Sequence, residues 1–102
     1  MKSLDTNVLA RFFIDDPDDA QALLQRPAAV VALSEPAFVT VTVLLELEWV
    51  MRGFYELPRD DIERVLRALL GIGHVTVEDR GPVLDALDLF GEGMDLADAL
   101  HL

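Results

Sequence analysis

The sequence has no cysteine, which excludes a disulfide scaffold, a zinc–thiolate site and thiol catalysis. Cations are scarce: 8 Lys and Arg stand against 19 Asp and Glu, for a formal net charge of -11 at pH 7. Neutralisation of a phosphate backbone by clustered basic side chains is therefore not what this composition offers. Any nucleic-acid chemistry must work through bound cations or a local basic rim, and a basic protein partner suits the charge equally. Uncharged apolar runs fall short of the ~20 residues that span a bilayer. Met1-Lys2-Ser3 leads to Asp5 rather than to the apolar core of a secretory signal. A cytoplasmic protein with no membrane segment is expected. Apolar residues nevertheless make up 52% of the chain, too many for a disordered acidic tail. The 102 residues suit a single domain with a modest core.

Periodicity alternates between the two regular patterns. Lys2–Asp5 reads as a short strand, and Val8, Leu9, Phe12 and Phe13 recur at helical spacing, so a helix opens just after Asp5. Pro17, with Asp18 and Asp19, starts a second helix through Ala20, Leu23 and Leu24, which Pro27 kinks or divides before 28–33. Ala37–Val41 is a buried strand, and Thr42 is a candidate N-cap for a helix carrying Leu44, Leu47, Val50 and Met51 inward and closing around Gly53. Pro58 and Asp60-Asp61 open the next helix, with Ile62, Val65, Leu66, Leu69 and Leu70 inside and Gly71 as terminator. His74–Val77 is the third strand. Asp79 is positioned to cap a helix bearing Val83, Leu84, Leu87 and Phe90, and Asp95 to cap the last run. Strands alternating with helices predict βαβ units and a mostly parallel sheet. Leu96–Leu102 make only about 10 Å of helix with no stop signal, so the expectation is one domain over 1–102, cut short at its C-terminus.

In an open α/β sheet, ligands collect beyond the carboxyl ends of the strands. Asp5 ends the first strand. Glu46 lies in the first turns after the second, an acid within an apolar stretch. Asp95 and Asp98, three apart at the start of a helix, share a face. Carboxylates brought together must either take up protons or hold a cation. A hard divalent ion suits oxygen ligands, and Mg²⁺ uses one or two direct carboxylates with waters and phosphate oxygens. Such a site activates water and neutralises a phosphodiester.

Three segments carry a resemblance. L-D-T-N-V-L at Leu4–Leu9, V-L-L-E-L-E-W-V-M-R at Val43–Arg52 and G-M-D-L-A-D-A-L at Gly93–Leu100 resemble PIN-domain ribonucleases, closest to the VapC-type toxins of bacterial toxin–antitoxin pairs. The likeness runs in order across nearly the whole chain. It implies a PIN-like three-layer α/β sandwich with a mostly parallel central sheet flanked by helices. Because members of the family continue past the point of Leu102, the resemblance also implies that the last strand is missing here. Carried over residue by residue, it implies Asp5 as the first metal-site acid, Glu46 ahead of Glu48 as the helical acid, Asp98 as the third and Asp95 as an accessory acid. Asp5, Glu46 and Asp98 would hold Mg²⁺ or Mn²⁺. Thr6 and Asn7 would hydrogen-bond around the first carboxylate, and Arg11 would reach the rim or pair with an acid there. The implied activity is Mg²⁺-dependent cleavage of RNA. The implied partners are a cognate antitoxin, whose basic segment lies across the site, and a second copy of the chain in a homodimer.

Plainer readings stand beside these. Asp5 and Asp95 each fit an ordinary N-cap. Glu46 has no such simple role, because an unpaired buried acid is costly, and capping does not explain Asp98. Asp15, Asp16, Asp18 and Asp19 are helix-start charges rather than a calcium loop. His74 and His101 belong to a strand edge and a solvent face, and Trp49, Phe54 and Tyr55 to packing against the next helix. The rival function is a truncated, non-catalytic interaction module that binds an antitoxin or itself. A phosphoryl-accepting regulator or phosphatase fits less well, since no D-x-D loop follows the first strand.

Overall fold

The computed structural model describes residues 2–14 and 34–101. The helix expected over 17–33 and the four aspartates between 15 and 19 lie outside the described residues. The elements run β1 (Lys2–Ser3), α1 (Thr6–Phe13), β2 (Ala37–Val39), α2 (Val41–Gly53), α3 (Arg59–Leu70), β3 (Val75–Val77), α4 (Arg80–Gly91) and α5 (Leu96–Leu100).

The three strands form a parallel sheet in the order β1-β2-β3, so the expected α/β class with helices flanking a parallel sheet holds. Lys2 lies opposite Ala37 and Ser3 opposite Phe38, while Ala37, Phe38 and Val39 face Val75, Thr76 and Val77. The central strand is the most enclosed, with Ala37 and Val39 fully buried. On β3 the pleat alternates, Val75 and Val77 inward and Thr76 exposed.

Helix stripes supply the rest of the core. On α3, Ile62, Leu66, Leu69 and Leu70 are buried, the i, i+4, i+7, i+8 pattern of one helical face. Val83, Ala86, Leu87 and Phe90 do the same on α4. Each fully buried Leu or Phe contributes roughly 1.5–3 kcal/mol over its exposed form. Among the described residues, no helix is long and apolar enough to cross a membrane.

The sheet is shorter than its sequence pattern, because residues expected at strand ends serve as helix caps or connections instead. β1 stops at Ser3, since Asp5 caps α1, its carboxylate accepting from Val8 N–H at 2.9 Å. β2 stops at Val39, and Thr40 rather than Thr42 caps α2, its hydroxyl accepting from Val43 N–H at 3.2 Å. With the helix starting two residues earlier, Thr42 is left exposed within its first turn. Asp79 precedes α4 as expected but makes no side-chain cap bond, because its backbone sits in the left-handed region with φ 52° and ψ 45°. A true N-cap uses extended backbone to aim its carboxylate at the N2 or N3 amide.

Candidate active site

Parallel strands put all their carboxyl ends on one edge, and the groups collected there follow from the chain itself. Asp5 leaves β1, Thr40 leaves β2 and Glu78 leaves β3. The Glu78 carboxylate accepts from Val41 N–H at 2.9 Å, so the loop after β3 helps cap the helix after β2. Sequence reading passed over Glu78. Its one available signal was an acid directly after the V-T-V strand, at the edge where ligands gather.

Glu46, in the second turn of α2, accepts a 2.8 Å hydrogen bond from the Thr6 hydroxyl. This bond spans forty positions of sequence and ties the start of α1 to α2. It also corrects the role expected for Thr6: the hydroxyl orients Glu46 rather than Asp5, because α1 packs against α2 and brings the hydroxyl to that helix. Asp95 caps α5, its carboxylate accepting from the amides of Ala97 at 3.0 Å and Asp98 at 3.3 Å. Asp98 lies exposed in the first turn of α5, between the buried Leu96 and Ala99 that seat the helix. α5 packs on α4 and on α2.

The second acid of α2 behaves differently. Glu48 is 5% exposed, on the stripe that buries Leu44, Leu47 and Met51. Arg52, one turn on, pairs with it, Nε to Oε1 at 3.2 Å and Nη2 to Oε2 at 3.4 Å. Burial raises the pKa of Glu48 above its ordinary value, opposed by Arg52 and reinforced by the negative charge of Asp95. Glu48 is thus a buried, satisfied partner within the fold that electrostatically senses the cap of α5.

Trp49, off the buried stripe, and Phe54, just past the end of α2, face outward. Trp49 is 66% and Phe54 73% exposed, which overturns the expectation that they pack against the next helix. Phe54 meets Tyr55 edge to face, with ring centroids 4.9 Å apart. The Arg11 guanidinium donates to the Tyr55 hydroxyl at 3.2 Å, placing Arg11 in a groove between α1 and α2. That groove, about 460 Å³, is lined by Asn7, Ala10, Arg11, Trp49, Val50, Gly53, Phe54 and Tyr55. Asn7, expected around the first carboxylate, is part of its wall.

A parallel α/β domain with acids ranged along the carboxyl edge of its sheet is the class these elements define. The sequence model of the PIN domain family matches residues 2–102, and the chain belongs to that family. No curated protein and no solved structure matches it. PIN domains are generally metal-dependent nucleases that use divalent ions.

The donor chemistry suits such an ion. Asp5, Glu46, Asp95 and Asp98 are exposed carboxylates with oxygen donors, and the hydrogen bonds described above occupy one oxygen each of Asp5, Glu46 and Asp95. The arrangement is nevertheless open: among the described residues, no three acids or histidines stand together as a ready metal cluster. It fits a hard cation held through one or two carboxylates and completed by water or phosphate, as Mg²⁺ is commonly held, and not a closed protein cage.

Proposed function

We propose that this chain is a metal-dependent endoribonuclease of the toxin type, with Asp5, Glu46 and Asp98 as the carboxylates that receive Mg²⁺ or Mn²⁺. The observation that carries this reading is the Thr6–Glu46 bond at the carboxyl edge of a PIN-domain sheet. It orients an otherwise free helical acid beside the residue that follows Asp5. A divalent ion held there supplies an acidified water and charge neutralisation of the phosphodiester. The chain's own groups do the rest. The amide of Val8 and the hydroxyl of Thr6 fix the rotamers of Asp5 and Glu46. Asp95 fixes the first turn of α5 and so presents Asp98.

The excess of acids recommends a basic protein segment as the regulatory partner, the role an antitoxin fills in the toxin class. Self-association through the exposed Trp49 and Phe54 accords with a homodimer. A second reading, a non-catalytic interaction module, draws on the absence of a three-acid cluster among the described residues.

Cleavage of RNA by the purified protein in Mg²⁺ or Mn²⁺, against Asp5→Asn and Asp98→Asn, separates the two. Asn caps a helix about as well as Asp, so Asp5→Asn removes the charge and keeps α1. The nuclease reading expects each variant to lose more than the roughly 10–100-fold typical of a group that only orients a ligand. Equal rates in all three proteins, or a rate that survives chelation of the metal, would refute it.

A further inference from the structure

Arg59 is the first residue of α3, where a cation opposes the helix dipole and stabilises nothing locally. Its side chain instead leaves the helix for the opposite kind of site, the carboxyl end of α4. There Nη1 donates to the carbonyl of Phe90 at 2.8 Å and to the carbonyl of Met94 at 2.9 Å. The guanidinium carbon stands 4.4 Å from the centre of the Phe90 ring, and that ring is 1% exposed. One planar cation therefore satisfies a helix-end carbonyl, rests on a buried aromatic face, and grips the backbone one residue before Asp95.

The grip falls on a short, tight connection. Gly93 N–H donates to Phe90 O at 3.0 Å and Met94 N–H to Leu89 O at 3.1 Å, and Ala99 N–H closes α5 on Asp95 O at 2.9 Å. Gly93 has φ +112°, backbone that a side chain would strain. α5 is only five residues long and cannot hold itself by helix propensity. Its position depends on the buried Leu96 and Ala99, on the Asp95 cap, and on the connection that delivers Asp95.

We propose that Arg59 is a positioning residue for the candidate site: it clamps the α4–α5 connection, and thereby sets where Asp95 and Asp98 stand against α2. The inference rests on the nuclease reading for its catalytic consequence, while the clamp itself is a property of the fold.

The experiment uses Arg59→Met, which keeps a flexible apolar stem over Phe90, and Arg59→Lys, which keeps the charge without the planar fork. Amide hydrogen exchange is followed at Gly93, Met94, Ala97, Asp98 and Ala99, with the amides of β2 and α2 as internal reference. Loss of charge-assisted bonds to two carbonyls should speed exchange in the 93–99 segment about tenfold in Arg59→Met. Arg59→Lys should fall between it and the wild type. RNA cleavage by the same proteins should show kcat about tenfold lower with KM unchanged, because Arg59 acts through α5 and touches no substrate. Should Arg59→Met fail to fold, Arg59→Lys carries both measurements. Exchange that rises equally throughout the protein would reduce Arg59 to general stability and overturn the proposal. A raised KM with a shallower salt dependence would also overturn it, by making Arg59 a phosphate contact. A wild type that cleaves no RNA would fell the nuclease reading alone, leaving the exchange result to decide the clamp.

Discussion

The two sides of the molecule use their polar groups in different ways. Around α3, α4 and α5 three arginines reach across to other elements, while Arg64 pairs with Asp61 inside α3. Arg59 holds the carbonyls of Phe90 and Met94, Arg67 bridges Glu63 and Asp88 at 2.8 Å each, and Arg80 donates to the carbonyl of Leu70. On the other side Thr6 bonds Glu46 between α1 and α2, Arg11 of α1 bonds Tyr55 just past α2, and Trp49 and Phe54 stand in solvent. The first region is a cross-tied frame. The second presents a hydroxyl-oriented acid and a groove with aromatic walls. Binding groups are best placed on elements that a rigid neighbour holds still, and the frame here includes α5, the helix that carries Asp98 and is capped by Asp95.

The sharpest way to break the comparison is to remove an aromatic residue from the frame. Phe90 joins the core to the Arg59 clamp, so Phe90→Ala removes a buried ring and the surface on which the guanidinium rests. A loss of about 3–5 kcal/mol is expected, a large share of the 5–15 kcal/mol typical of a whole domain. Urea denaturation checks it. A loss under about 1 kcal/mol would mean that the α3–α5 region is not the frame.

A smaller effect sharpens the contrast within one helix. Glu46 and Glu48 lie two residues apart on α2, one exposed and bonded to a hydroxyl, the other buried and paired with an arginine. Arg52→Ala strands the Glu48 carboxylate and should cost about 1 kcal/mol, above the ~0.3–0.5 of an exposed i,i+4 pair and below the full cost of breaking a buried one. The pH dependence has a definite sign. Burial raises the folded-state pKa of Glu48 above its ordinary 4.5, so the folded protein holds that proton more tightly than the unfolded chain does. The resulting stability is fully present below 4.5 and is lost as the pH rises through the raised value. Relative to Glu48→Gln, the wild type should therefore weaken as the pH climbs from about 4.5 towards neutrality. Melting curves of the two proteins across that window test it. A difference that stays flat, or that grows in the wild type's favour with rising pH, contradicts the burial account.

Much of the frame was legible because it obeys one-dimensional rules. The stripe Ile62, Leu66, Leu69, Leu70, the cap at Asp95 and the parallel α/β class all follow from periodicity and from helix-start chemistry. What escaped depends on a partner distant in sequence. Glu48 is an acid on an apolar stripe; its burial comes from α3 and α5, far along the chain, packing on α2, and Arg52 offsets only part of that cost. Thr6 has two carboxylates within reach of argument, and choosing Glu46 over Asp5 required knowing that α1 packs on α2, forty positions away. Glu78 caps a helix that begins thirty-seven positions earlier, a relation that no local window contains. The placing of Asp5 and Asp98 among the candidate acids came from motif and strand-end logic; Asp5 is the N-cap of α1 and Asp98 lies in the first turn of α5.

The smallest expected effect is the most direct probe of the α1–α2 side. Trp49 is the largest side chain in the protein's groove, yet it is two-thirds exposed at 66%. A tryptophan anchored in the core would cost several kcal/mol to truncate. One standing in solvent should cost no more than about 0.5 kcal/mol, a change of roughly 2–4 °C in Tm for a domain of this size. Trp49→Ala compared with Phe90→Ala in one denaturation series thus sets an exposed aromatic of α2 against a buried one of α4. If the two losses converge, the groove is filled and α2 is part of the frame. If they stay several kcal/mol apart, the aromatic surface of the α1–α2 face contributes little to the stability of the fold.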